Sequence, residues 1–190
     1  MLEMSYAKAR SHIKSGDIVH VFSPPVKKYN RITNFLVYPL IHFFTGSPIY
    51  HNVVAMWMTS PLGEKKLMAV ESNFRGGKRI IPMSAYSQHR LEVHPLPPSA
   101  DYALMDSYLL ENVGNQSYGI LDFIGIGLRE FFGVNPKKDF SGQVCSELCA
   151  SAWIKAGVPM RETVISPGRL RNDIIRLGIF PTITIPSSFA

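Results

Sequence analysis

The order of apolar and polar positions divides the chain into a strand-rich first half and a helix-rich second half. After a short polar helix candidate, Lys14-Ser-Gly-Asp17 turns into the apolar run 18–22, which reads as a strand ended by Ser23-Pro24-Pro25. Residues 50–58 and 67–72 are both β-prone, and Ser60-Pro61-Leu62-Gly63 between them is a turn signal, so the two predict a hairpin. Further strands are expected at 79–82 and 90–96, after which Pro95, Pro97 and Pro98 break the chain. Ser99 then stands as the cap of a helix running to about residue 112. Other helices are expected over 118–132, loosened by Gly125 and Gly127, and over 142–156, closed by Gly157. Ser166-Pro167, a cap followed by a first helical position, opens a last helix ending near Gly178, and 180–185 alternates like a final strand. Strands first and helices afterwards predict an α+β fold, an antiparallel sheet packed against helices.

Composition places this pattern in one domain, residues 1–190, with 46% hydrophobic and 18% charged positions. A net charge of +6 directs attention to anionic partners. The basic residues are scattered, however, with no zinc-finger spacing and no RNA-binding aromatic signature, which speaks against nucleic acid. Residues 1–16 lack the apolar core of a signal peptide, and the greasiest stretch, 35–44, contains Pro39 and His42 and is too short to span a bilayer. The two cysteines, Cys145 and Cys149, lie one helical turn apart, a poor geometry for a disulfide. Free thiols suit a reducing compartment, so a cytoplasmic location is expected. No cofactor is called for, and the cysteines and histidines show none of the usual metal-ligand spacings.

Cys145 is the first candidate for chemistry. It lies in Ser-Gly-Gln-Val-Cys-Ser-Glu-Leu-Cys, where a loop enters a helix, so the positive end of the helix dipole favours a thiolate. Backbone N–H groups at that turn also suit an oxyanion. The bland reading is a buried structural cysteine, the fate expected for Cys149 among Leu148, Ala150 and Ala152. Six histidines compete for the role of base. His51 shares a strand face with Val53, Ala55 and Trp57, Glu71 shares one with Leu67 and Ala69, and the turn near residue 61 or 62 sets positions 51 and 71 roughly opposite. A carboxylate there would orient the imidazole and support its charged form. Alternatively, His51 bonds a nearby loop and Glu71 pairs with Arg75 or Lys78. Asp17 is read as shaping a turn, and Glu147 as complementing the helix dipole.

Taken in order, Gly16-Asp17-Ile18-Val19, Tyr50-His51-Asn52-Val53-Val54, Val70-Glu71-Ser72, Tyr118-Gly-Ile-Leu-Asp122, Val144-Cys145-Ser146-Glu147-Leu148 and Ser166-Pro167 resemble the circularly permuted NlpC-type, papain-like enzymes. That group includes YiiX/YaeF-like amidases with phage and poxviral relatives, and in it the histidine precedes the cysteine. The resemblance spans about residues 14–178 and implies Cys145 as nucleophile, His51 as base, Glu71 as orienting acid and Tyr118 as an aromatic lining the cleft. The chain departs from the pattern after His51, where members often carry Val-Gly, and in an aromatic-rich insertion at 26–49 expected to cover the cleft.

The resemblance implies a cysteine peptidase or amidase acting through an acyl-enzyme on small peptides or cell-wall-type amides. A thiol hydrolase or acyltransferase acting on acyl lipids is the second reading, with peripheral membrane contact through 35–44, and a binding module that kept the fold is the third.

Overall fold

The computed structural model describes residues 1–22, 47–73, 77–114, 145–160 and 166–188. The expected helix at 118–132, Tyr118, Arg75 and most of the 26–49 insertion, including 35–44, lie outside the described residues.

The described chain is α+β, with a seven-stranded sheet in the order β1-β7-β6-β2-β3-β4-β5. Its strands are β1 (Leu2–Glu3), β2 (Ile18–Phe22), β3 (Ile49–Thr59), β4 (Lys65–Asn73), β5 (Gly77–Pro82), β6 (Leu91–His94) and β7 (Ile183–Ile185). Every pairing is antiparallel except that of β1 with β7. The helices are α1 (Tyr6–Ala9), α2 (Tyr102–Asn112), α3 (Cys145–Lys155) and α4 (Pro167–Arg176), with 3₁₀ turns at Arg10–His12 and Met83–Tyr86. No helix among the described residues is long and apolar enough to cross a membrane.

Both faces of the sheet are covered, which is why β2 is a nearly unbroken apolar run rather than an alternating one. One face, with Ile18, Val54, Met56 and Val70, packs against Met105 and Leu109 of α2, Leu148 and Trp153 of α3, and Leu170 and Ile174 of α4. The other face, with Val19, Val21, Val53, Ala55, Leu91 and Val93, packs against Ala9, Ile13, Met83 and Tyr86. The entry into β2 is tight. Gly16 has a positive φ of 94°, and a Cβ there would sit 2.7 Å from Leu96 and 2.9 Å from Met105. Asp17 does shape the turn: its carboxylate accepts from the backbone N–H of Lys14 at 2.8 Å and of Leu96 at 3.1 Å.

Several boundaries need correction. Asp101, not Ser99, caps α2, accepting from the N–H groups of Ala103 and Leu104. A turn closed by the Ala100 N–H on the Pro97 carbonyl occupies the residues before it. The strand expected at 90–96 is confined to Leu91–His94 because Pro95 has no N–H to continue a ladder. The final strand begins at Ile183, after Pro181, and β1 at the N-terminus was not expected. Ser166 caps α4 by accepting from the Arg169 N–H, with Pro167 at the first helical position, as the Ser-Pro pair predicts.

Candidate active site

The hairpin β3–β4 brings His51 and Glu71 to one face of the sheet. Its ladder runs from Thr59↔Lys65 to Val54↔Val70 and stops there. Beyond that pair β3 continues alongside β2 as far as Ile49↔Phe22, and β4 alongside β5 as far as Asn73↔Gly77. The sheet therefore opens between β3 and β4, and the two side chains stand on the parted ends. Continuing the register sets Glu71 beside Val53, so Glu71 and His51 are diagonal neighbours rather than direct partners. The register of β3 against β2 slips at Tyr50, next to His51; an extra residue of this kind bends a strand and re-aims its side chains.

Across the opening, His51 Nε2 lies 2.7 Å from Glu71 Oε2. Glu71 is fully buried and takes two further donors: Arg79 Nε at 2.8 Å on Oε1, and the Tyr86 hydroxyl on Oε2. Helix α3 packs on the other face of these two strands, through Leu148 and Cys149 against Val54 and Val70. Cys145, the first residue of α3, comes within hydrogen-bonding reach of the His51 ring. Since Nε2 is engaged by the carboxylate, Nδ1 is the nitrogen left for the sulfur. An Nε2–H donated to Glu71 also leaves the Nδ1 lone pair free in the neutral ring, the tautomer a base facing a thiol requires.

The electrostatics follow from burial and these partners. Burial alone would lower the pKa of His51, but the Cys145 sulfur and the Glu71 carboxylate reverse this and raise it to about 10. Burial would raise that of Glu71, and His51, Tyr86 and Arg79 together hold it down to about 2. Tyr86 is pushed up by burial and by the adjoining carboxylate, so it stays a donor. Tyr50 stacks on His51 with ring centroids 6.1 Å apart, and the Tyr86 ring lies 5.8 Å away on another side. A thiol, an imidazole and a carboxylate in line can pass a proton from sulfur to nitrogen and hold the resulting cation.

The other sequence candidates separate cleanly. Cys149 is fully buried, and desolvation raises its thiol well above the ordinary range. His20 lies on the opposite sheet face, bonded to Asn52 at 2.6 Å, with burial lowering its pKa to about 3. Asn52, where the resembled family often differs, thus serves His20 and not His51. His94 bonds the Ile179 carbonyl, and His89 the Phe22 carbonyl; His42 lies outside the described residues. Lys78 bonds Asn112 rather than Glu71.

Arg79 and Tyr86 were not anticipated. Arg79 had a signal, since the pairing of β4 with β5 sets it directly opposite Glu71. Tyr86, on a 3₁₀ turn, had none. Among the described residues no group of three or more His, Cys, Asp or Glu side chains is placed to hold a metal ion.

Comparison of the sequence with protein-family models finds no match, and comparison with curated proteins finds no significant relative.

Proposed function

We propose that this chain is a cysteine hydrolase with a circularly permuted papain-like fold, acting through an acyl-enzyme on an amide bond. The observation that carries the reading is the line Cys145–His51–Glu71 across the opened sheet, with the thiol on the first turn of a helix. The histidine strand precedes the cysteine helix in the chain, the order of the permuted NlpC-type enzymes that the sequence resembles.

In the proposed reaction His51 Nδ1 takes the proton of Cys145 Sγ, and the sulfur attacks the substrate carbonyl carbon. Charge moves onto the carbonyl oxygen, where the N–H groups of the first turn of α3 are the available donors. Collapse expels the amine, which takes the proton from the imidazolium and leaves a thioester on Cys145. His51 then draws a proton from water, the hydroxide oxygen attacks the thioester, and the returning proton restores the thiol as the acid leaves. Glu71 remains ionised throughout, stabilising the imidazolium, while Arg79 and Tyr86 hold its other lone pairs. Both cysteines are free thiols, which suits the cytoplasmic location that goes with this reading.

A lipid-directed thiol hydrolase or acyltransferase is the second reading, favoured by an arginine-lined cavity at the start of β3. Small peptide amides and acyl esters offered in parallel, with products identified by mass spectrometry, separate the two. The amidase reading expects amide cleavage that disappears in Cys145→Ser; turnover of esters alone would favour the lipid reading, and turnover of neither would leave a binding module.

A further inference from the structure

On the sheet face turned away from Glu71, a polar row crosses three strands beside the bulge that aims His51. Asn52 of β3 pairs with His20 of β2, and His20 pairs on its other side with Glu92 of β6. All three side chains are buried. The Glu92 carboxylate is taken by Arg90 Nη2 at 2.9 Å and Arg171 Nε at 2.6 Å. His20 instead sets Nδ1 against Asn52 Oδ1 at 2.6 Å, and the His94 ring stands nearly perpendicular to it with centroids 4.9 Å apart. An amide oxygen only accepts, so His20 Nδ1 carries a proton and donates it. His20 Nε2 and Asn52 Nδ2 have no hydrogen-bond partner among the described residues. Two polar side chains are thus buried beside Ile18 and Val54 for one mutual bond, which adds little net stability over an apolar pair.

What the pair does decide is register. β2 and β3 are matched from Ile18↔Val54 to Val21↔His51, Tyr50 is then extra, and pairing resumes at Phe22↔Ile49. A bulge moved to Asn52 would keep Val19↔Val53 and Phe22↔Ile49 while setting His51 opposite His20 and Tyr50 opposite Val21. His51 would then point to the face away from Glu71. Apolar matching does not oppose the move, since Val21 would meet a tyrosine ring in place of an imidazole. The His20–Asn52 bond does oppose it, because that bond exists only while Asn52 is paired and the bulge lies beyond it.

We propose that His20 and Asn52 are positioning residues for His51, a buried polar pair that fixes the bulge at Tyr50 and so turns the imidazole towards Glu71. A single buried polar residue sets register in the same way in coiled coils, at a cost in stability. Asn52 acts on His51 through the strand, while its own bond is made on the opposite face. The catalytic consequence rests on the acyl-transfer reading; the register itself is read without turnover.

The test is NMR of the full chain, in which contacts between Val21 and His51 report the native register and contacts between His20 and His51 the shifted one. The parent is expected to show the first alone, with one Nε2–H signal for His51 bonded to Glu71. His20→Leu combined with Asn52→Val removes the tie and leaves no other described side chain without its partner. This double variant is expected to unfold in urea at or above the parent's midpoint and to show both registers. Its Cys145 is expected to be alkylated about tenfold or more slowly at neutral pH, through misplacement of the base. His20→Asn keeps a donor at the Nδ1 position but empties the place of the ring, so it is expected to lower the midpoint and keep the single register. A double variant that shows the native register alone, or that fails to fold, overturns the proposal, as does register mixing in His20→Asn. Slow Cys145 alkylation in the parent, alongside register mixing in the double variant, would sink the hydrolase reading and leave the positioning of His51 standing.

Discussion

Replacing Glu71 with Gln keeps the shape of the side chain and removes its charge, and the consequences can be worked from its three partners. Gln offers one acceptor oxygen where Glu offered two. If that oxygen keeps His51 and Tyr86, the amide nitrogen faces the Arg79 guanidinium, and that partly exposed arginine turns to water. The His51 bond then survives as a neutral one. A hydrogen bond to a charged group is worth about 1.5–3 kcal/mol and a neutral one about 1 kcal/mol. The imidazolium formed during acylation therefore loses on the order of 1–2 kcal/mol, or a fall in kcat/KM of about five- to thirtyfold.

The pH dependence is a second signature of the same change. Glu71 is held down at about 2, so it contributes stability that is present above its ordinary value near 4.5 and lost as pH falls towards 2. That amounts to roughly 3 kcal/mol, which Gln cannot show as an acid-labile component. His51, raised to about 10, contributes stability fully present below about 6.5 and lost as pH rises through 10. Its alkaline limb should move downward when the carboxylate charge is gone. The assays are urea unfolding across pH and kcat/KM across pH on an activated amide. A Glu71→Gln variant with the parent's rate and the parent's alkaline limb would refute the orienting role.

Four further substitutions test neighbouring parts of the account. Tyr86→Phe removes one of the two donors on Glu71 Oε2, and should lower kcat/KM several-fold while slightly raising the acid midpoint of unfolding. Gly16→Ala should destabilise by about 1–3 kcal/mol in chemical denaturation, since alanine is strained at a φ of 94° and its methyl meets Leu96 and Met105. An unchanged midpoint would mean the turn can be rebuilt. Asp101→Ala should cost about 1 kcal/mol through loss of the α2 cap, and Ser99→Ala much less; the reverse order would restore the original boundary.

How much of this was legible beforehand differs by element. The β3–β4 hairpin follows from β-prone runs on either side of Ser60-Pro61-Leu62-Gly63, and strand alternation alone puts His51 and Glu71 on a shared face. The diagonal offset between them was not legible, because register depends on where the turn closes, here by the Gly63 N–H on the Ser60 carbonyl and the Ser60 N–H on that of Glu64. Asp101 and Ser99 are both good caps, and only the turn made by the prolines before them decides which is used. The two-residue β1 is too short to carry a periodicity. Tyr86 and the arginines around Glu92 are tertiary partners brought in by separate elements, and no local pattern marks them. The opening of the sheet between β3 and β4 is likewise a product of packing, with α3 seated over both strands.

The central claim is that Cys145 becomes covalently acylated with His51 as its base. Intact mass spectrometry of the full chain, taken within seconds of mixing with an activated ester and followed by peptide mapping, measures this directly. The account predicts a single acyl adduct on Cys145, none on the buried Cys149, a retained adduct in Cys149→Ala, and loss of fast labelling in His51→Ala. An adduct on Cys149, or equal labelling rates in the parent and His51→Ala, would contradict it.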